Sequence, residues 1–340
     1  MLTLSFVLAA VLPLALTTTW NLQDEYIGSG FYSGFSFQAI SDPTHGRVQY
    51  VSKSAAQSAG LVSTSSDSFI MRVDNTTTLS ASAAGRKSIR LQSNKSYTHH
   101  ALIADIRHLP SGCGTWPALW TVGSDWPNNG EVDIIEGVHG ITPNLMSLHT
   151  SAGCTQGYTV EEMKGAVVSK DCNADANSNQ GCGVRGASSR DFGSPFNNAG
   201  GGWFAMERTS TRIRIWFWSR QDSSVPSAVK NGDSTIYTDS FGTATAVFAN
   251  SSSCNLEQHF AVHLRQGVIV APRVVALPTY AFIAHHVIIN TSLCGDWAGS
   301  SSAWAASGCS STGSCVDYVN QNSGAFWTAY WDFAALRMYT

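Results

Sequence analysis

The chain has 340 residues, with 20 basic against 23 acidic side chains and a formal net charge of −3. Charged residues make up 13 % of it and apolar ones 43 %. An average globular domain is ~25 % charged, so Ser, Thr, Asn and Gly must supply the surface polarity, and a disordered chain is excluded. A balanced, slightly acidic chain has no phosphate footprint, which argues against a nucleic-acid partner.

The first element in chain order is an uncharged run from Leu2 to Leu16, with the small residues Ala15, Thr17 and Thr18 at its end. It is too short to span a bilayer, and it reads as a secretory signal peptide over residues 1–18, although no Lys or Arg precedes it. The mature chain, residues 19–340, is then expected to be extracellular. No later segment is long and apolar enough for a membrane anchor. Eight cysteines, an even number, fit disulfides in an oxidising compartment. They allow 105 pairings, among which the sequence does not choose. No C-x-x-C pair or Cys/His spacing marks a zinc site, and no metal or other cofactor is expected. Sequons stand at Asn75, Asn94, Asn250 and Asn290.

Short β-rich runs bounded by Gly, Asn, Asp and Ser follow one another: 34–39, 47–51, 88–91, 101–106, 146–150, 204–207, 212–218 and 286–290. Residues 212–218, RIRIWFW, open with polar/apolar alternation, the mark of a strand with one buried face. Many short strands with turns between them predict an all-β sandwich or barrel. Two Gly/Ser/Asn-rich stretches, 151–202 and 293–324, each carry three cysteines and read as long stapled loops. No repeat or linker divides the chain, so one domain is expected over 19–340.

The segment 114–140, GTWPALWTVGSDWPNNGEVDIIEGVHG, carries the chemistry. Within it Glu131, Asp133 and Glu136 alternate with apolar residues. In a regular strand Glu136 points away from the other two. A β-bulge at Ile134–Ile135 absorbs one residue, returns Glu136 to their face and leaves Val132 toward the core. Three like charges on one face gain a structural strand nothing. Two close carboxyls do suit retaining glycoside hydrolysis, one as nucleophile and one as proton donor.

With these residues the chain resembles glycoside hydrolase family 16, in its fungal endo-β-1,3(4)-glucanase or laminarinase type. The E-x-D-x-x-E core is joined by GSGFYSGFSF (28–37), DPTHGRVQYV (42–51), LMSLHT (145–150), FAMERTSTRIRIWFW (204–218), CGDWAG (294–299), CVDYVNQN (315–322) and AYWDFAALRMY (329–339). The resemblance implies a concanavalin A-like β-jelly-roll of two curved antiparallel sheets, with a β-glucan lying across one of them. It implies Glu131 as nucleophile, Glu136 as acid/base and Asp133 as an assisting group. Glu136 should have a pKa raised by its two carboxylate neighbours, and Asp133 is placed to hydrogen-bond Glu131. Trp116, Trp120, Trp126 and Trp297 resemble the family's sugar-stacking platforms, with at least two of the four expected to line the cleft. His149 is placed on a neighbouring strand, facing Glu131 or a sugar hydroxyl. The adjacent pairs His99–His100 and His285–His286 point to opposite faces of a strand and make no metal site.

One segment departs from the family pattern. Relatives run almost directly from the equivalent of QHF (258–260) to that of HHVIIN (285–290), whereas here 262–283 intervene, with no Asp, Glu, Asn or Ser. A long apolar loop is unusual in a compact domain. The segment reads as the translation of an unspliced intron, expected to pack weakly and to damage the strand at 286–290.

The leading expectation is a secreted, monomeric endo-β-glucanase acting on polysaccharide with β-1,3 or mixed β-1,3/1,4 linkages. A transglycosylase of the same family and a non-catalytic glucan-binding module are the alternatives. Paired acids argue against the latter, since binding alone does not require them.

Overall fold

The computed structural model describes residues 18–157, 162–270 and 273–340, with the backbone alone over 262–282. The expected leader, apart from Thr18, lies outside the described residues.

The alternating runs form two large antiparallel sheets. The first has eight strands in the spatial order Ala166–Ser169, Cys182–Arg185, Leu145–His149, Glu131–Glu136, Thr115–Val122, His285–Leu293, Arg90–Tyr97 and Phe35–Phe37. The second runs Thr235–Tyr237, Thr19–Tyr26, Tyr330–Tyr339, His100–His108, Gly202–Arg208, Arg212–Ser219 and Ala246–Ala249, with Phe69–Arg72 and Val62–Thr64 added beside Tyr330–Tyr339. Val48–Tyr50 stands apart, in a small parallel pair with Arg86–Ser88.

The main core lies between these sheets. Leu91, Leu119, Val132, Leu148 and Ile289 come from the first, and Leu102, Ala104, Phe204, Met206, Ile215 and Met338 from the second. The result is a β-jelly-roll sandwich; the strand pattern implied a sandwich or barrel, and the family resemblance the jelly-roll. The strand Arg212–Ser219 differs from its expectation, because both its faces are buried. Ile213 and Ile215 enter the main core, while Trp216 and Trp218 join Trp20, Trp203, Val229, Ile236 and Phe241 in a second cluster on the other face. The segment from Ser227 to Phe241 supplies the cover.

The stapled stretches hold more regular structure than their composition implied. Residues 151–202 include two sheet strands and the helix Gly193–Asn198. Residues 293–324 form the short helices Gly295–Ala298, Ser301–Ala306 and Cys315–Gln321. Ser300 and Ser314 cap two of them by accepting from the N–H groups of Ala303 and Asp317. Helices of four to seven residues are too short to print a 3.6-residue pattern. Four disulfides pair Cys113–Cys309, Cys154–Cys254, Cys172–Cys182 and Cys294–Cys315. Two of these tie the helical stretch to the ends of the strands Thr115–Val122 and His285–Leu293.

The unusual segment forms a hairpin, Ala261–Val270 against Arg273–Phe282, in unbroken register from Ala261↔Phe282 to Val270↔Arg273. Its strands pair with each other and join neither large sheet. The Ile283 N–H donates to the Phe260 carbonyl at 3.0 Å, so the two ends of the insertion meet at one point. The expected damage to the following strand does not occur. His285–Leu293 is paired on both sides, without a break from His286↔Val122 to Leu293↔Thr115, and from His285↔Tyr97 to Asn290↔Arg90 with one register shift between His286 and Ile288. A hairpin whose ends coincide leaves its neighbours where they were.

Candidate active site

Glu131–Glu136 is an inner strand of the eight-stranded sheet, between Thr115–Val122 and Leu145–His149. Gly130 precedes it at φ +74°, and a Cβ there would fall 2.6 Å from the Phe260 ring, so the approach requires glycine. Glu131 is opposite Val122 and His149, and Asp133 opposite Trp120 and Ser147. Beyond Asp133 the ladder slips. Ile135 pairs with Leu119 and Glu136 with Ala118, leaving Ile134 as the extra residue. On the other side, Ile134 and Ile135 together oppose the one residue between Ser147 and Leu145. This is the bulge read from the sequence. Val132, Ile134 and Ile135 are all fully buried in the main core, and the three acids are left to the other face.

Each acid meets a different partner. Trp116 Nε1–H donates to Glu136 Oε1 at 2.9 Å, and Trp126 Nε1–H donates to Glu131 Oε2. Asp133 is 2 % exposed, and its Oδ2 lies 3.3 Å from His149 Nε2. His149 Nδ1 is 2.8 Å from Asn179 Oδ1. The expected Asp133–Glu131 bond is thus replaced by an Asp133–His149 ion pair, reached across the strands on the diagonal. His149 stands directly opposite Glu131 in register, but its ring is turned to the aspartate.

Burial sets the electrostatics. Glu136 has its pKa raised, first by burial and only then by Glu131, while the charge of His149 and the Trp116 bond pull it back. The sequence expectation named the neighbouring carboxylates as the cause, and burial outweighs them. Asp133 is raised well above the usual carboxylate range by burial, then by Glu131 and Glu136, with His149 opposing. Burial works against charge on His149, yet the Asp133 bond and the three carboxylates hold its pKa up at about 10. Glu136 with its raised pKa, Glu131 and a histidine held up at about 10 thus share one face of the sheet.

The four tryptophans divide. Trp116 and Trp126 touch the glutamates, and Trp126 is 45 % exposed, a flat face open to a ligand. Trp297 meets Trp116 edge to face, ring centroids 5.7 Å apart. Trp120 shares the sheet face but is tied elsewhere. Its Nε1–H donates to Asn290 Oδ1 at 2.8 Å, and the Arg90 guanidinium lies 4.9 Å over its ring.

Sequence reasoning missed this second patch. Asn290 Nδ2 donates to the Tyr50 hydroxyl at 3.2 Å, and Arg90 Nε donates to Gln38 Oε1 at 2.8 Å. Together they extend the acidic face with a row of polar groups across the strands Arg90–Tyr97 and His285–Leu293. Asn290 had been read as a sequon, but it is 7 % exposed with both ends of its amide engaged. The sequence signal for the row was slight, isolated polar residues such as Arg90, Gln92 and Asn290 within runs that read as strands.

Known proteins match this site and scaffold. The XgeA-like catalytic GH16 domain family matches over residues 35–267 and 276–339, passing over the outer part of the hairpin. A probable glycosidase of Schizosaccharomyces pombe is 38 % identical over 323 residues, which are 94 % of this chain and 69 % of that protein. The endo-1,3(4)-beta-glucanase xgeA of Emericella nidulans is 36 % identical over 95 % of this chain and 47 % of its own length. The chain spans about half the length of the Aspergillus and Emericella relatives it matches. Among solved structures, GH16 laminarinase 16A from Phanerochaete chrysosporium superposes with a TM-score of 0.86 at 45 % identity. The match covers 95 % of this chain and all of that one, whose structure holds 6-O-glucosyl-laminaritriose in donor and acceptor sites. An elongating family 16 β-1,3-glucosyltransferase gives 0.81 at 37 % identity, over 94 % of this chain and all of its own. With a family match across most of its length and relatives above 35 % identity, the chain belongs to glycoside hydrolase family 16, in its XgeA-like group.

Proposed function

We propose that this chain is a retaining endo-β-glucanase cutting β-1,3 or mixed β-1,3/1,4 glucans, with Glu131 as nucleophile and Glu136 as acid/base. The observation that carries the reading is the bulge that returns Glu136 to the face of Glu131. Glu136, its pKa raised first by burial, gives its proton to the leaving glycosidic oxygen. Glu131 attacks the anomeric carbon and forms a glycosyl-enzyme. Glu136, now a carboxylate, takes a proton from water, which displaces Glu131 and restores the starting configuration. Asp133 and His149 assist from beneath, since an ion pair there holds Asp133 in place and offsets the summed negative charge. Trp126 and Trp116 offer sugar-stacking surfaces beside the two acids, and Trp297 and Trp120 support them.

Glu131→Gln removes the attacking charge while keeping shape, so hydrolysis of laminarin should fall by several orders of magnitude with folding intact. Glu136→Gln should fail on polymer but be partly spared on an aryl glycoside whose leaving group needs no proton. The product formed first, followed by NMR, should be the β-anomer. Near-normal polymer activity in both variants, or a first-formed α-anomer, would overturn the assignment. Products longer than the substrate would assign the enzyme to glycosyl transfer instead.

Four disulfides suit an oxidising compartment, which supports reading residues 1–18 as a leader and the remainder as secreted; we read that remainder as one monomeric domain. Asn94 and Asn250 are exposed and fit as glycan acceptors; buried Asn290 does not. Residues 262–283 we read as an unspliced intron, on their composition and on a hairpin that pairs only with itself.

A further inference from the structure

A bulge takes backbone groups out of the ladder, and when buried they need other partners. Here the groups are the Ile134 carbonyl and the Glu136 N–H, on either side of the slip, and one side chain serves both. Asn144 Nδ2 donates to Ile134 O at 2.9 Å, and Asn144 Oδ1 accepts from the Glu136 N–H at 3.0 Å. Asn144 is fully buried and is itself pinned. Its N–H donates to Asp191 Oδ1 at 2.9 Å, and its carbonyl accepts from the Gly186 N–H at 2.8 Å. Asp191 is 1 % exposed and also accepts from Thr142 Oγ1 at 3.3 Å. A Cβ on residue 186 would lie 1.8 Å from Asp191 Oδ2, so glycine there lets the aspartate reach the latch.

The chemistry of the latch is specific. It needs one donor and one acceptor on the same planar group, which an amide offers and a carboxylate or a methyl does not. Its action is also one-sided. The nucleophile's half of the strand is laddered to both neighbours without it, through Glu131↔His149, Glu131↔Val122 and Asp133↔Trp120. The half carrying Glu136 is laddered as well, through Ile135↔Leu119, Glu136↔Ala118 and Glu136↔Leu145, but it is on this half that Asn144 adds its two side-chain bonds across the slip.

We infer that Asn144, anchored by Asp191, is a positioning residue for Glu136: it fixes the bulge register and so aims the acid/base carboxyl at the bond being cut. The inference rests on the assignment of Glu136 proposed above. Because the latch touches the acid/base half alone, its loss should appear as failed proton delivery and leave nucleophilic attack in place.

The test compares Asn144→Asp, Asn144→Ala and Glu136→Gln on laminarin and on a dinitrophenyl β-laminaribioside, with unfolding curves for each protein. Misplacing a catalytic group by about an ångström costs on the order of 100-fold, so kcat on laminarin should fall by about that factor in the Asn144 variants. KM should stay within about twofold, because uniform binding is untouched. On the activated substrate the loss should be under about tenfold, since general acid help is not needed there. Where Asn144→Ala does not fold, the near-isosteric Asn144→Asp carries the test. Folded variants that lose both substrates equally, or that keep laminarin turnover beside an inactive Glu136→Gln, overturn the positioning role alone. Laminarin turnover kept by Glu136→Gln overturns the acid/base assignment and this inference with it.

Discussion

Replacing His149 with glutamine tests whether Asp133 is an anion in the folded protein. The two side chains are 9 % and 3 % exposed and 3.3 Å apart. Burial disfavours charge on His149, but the Asp133 bond and the carboxylates around it hold its pKa at about 10. As an ion pair the two carry one proton, on the imidazole. In the unfolded chain His titrates near ~6.5 and Asp near ~3.9. Between those values native and unfolded wild type both hold that one proton, so the pair adds no pH slope. Above ~6.5 the unfolded histidine loses its proton while the native one keeps it until about 10, and the stabilisation is lost across that window. Glutamine cannot carry the charge, and burial leaves Asp133 to neutralise itself by keeping its own proton. The variant's native state then binds a proton that its unfolded state has released above ~3.9. Stability therefore falls from that pH at about 1.4 kcal/mol per unit. The deficit relative to wild type should grow with pH above ~3.9, at up to about 1.4 kcal/mol per unit for as long as Asp133 keeps its proton. Urea unfolding between pH 4 and 7.5 with disulfides intact measures it, given coincident transitions by two probes. A deficit constant across that range would mean that Asp133 already carries its proton beside His149, and the ion pair would be refuted.

Trp116→Phe removes the hydrogen bond that favours the ionised form of Glu136; its pKa should rise further, moving the alkaline limb of kcat/KM to higher pH. An unmoved limb would show that the bond does not tune the acid. Deleting 262–283 joins Ala261 to Ala284 where the ends already meet, so the shortened chain should fold and hydrolyse laminarin at least as well as the full one. Loss of folding on deletion, or abundant message retaining these codons, would sink the intron reading.

The acidic strand was legible because its signal is local: a period of two, broken once, with carboxylates marking the break. The bulge and the inward Val132 followed from that alone, whereas the tryptophans entered through the family resemblance, as sugar platforms and not as hydrogen-bond partners of the glutamates. The Asn144 latch was not legible, since an asparagine eight residues past Glu136 gains meaning only when the register lays it against the slip. His149 was placed on the correct strand, but its diagonal turn to Asp133 depends on side-chain reach, which pairing order does not encode. The helices of 293–324 were hidden by their shortness and by the serines that cap them, which in composition read as loop. The hairpin was misjudged in its effect. Its apolar sequence implied disruption, whereas coincident ends confine it.

The place of Tyr330–Tyr339 in its sheet has a consequence for the order in which the protein is made. This strand stands between Thr19–Tyr26 and His100–His108, so both wait through the synthesis of nearly everything else before their shared neighbour exists. Cys113 waits similarly, because its partner Cys309 lies 196 residues later. Until then Leu102, Ala104 and Ile106 present an unfinished apolar face and an open edge, the features that draw nascent chains into aggregates. The sandwich therefore closes late and all at once, and its yield rests on what shields the early strands while the last one is still on the ribosome.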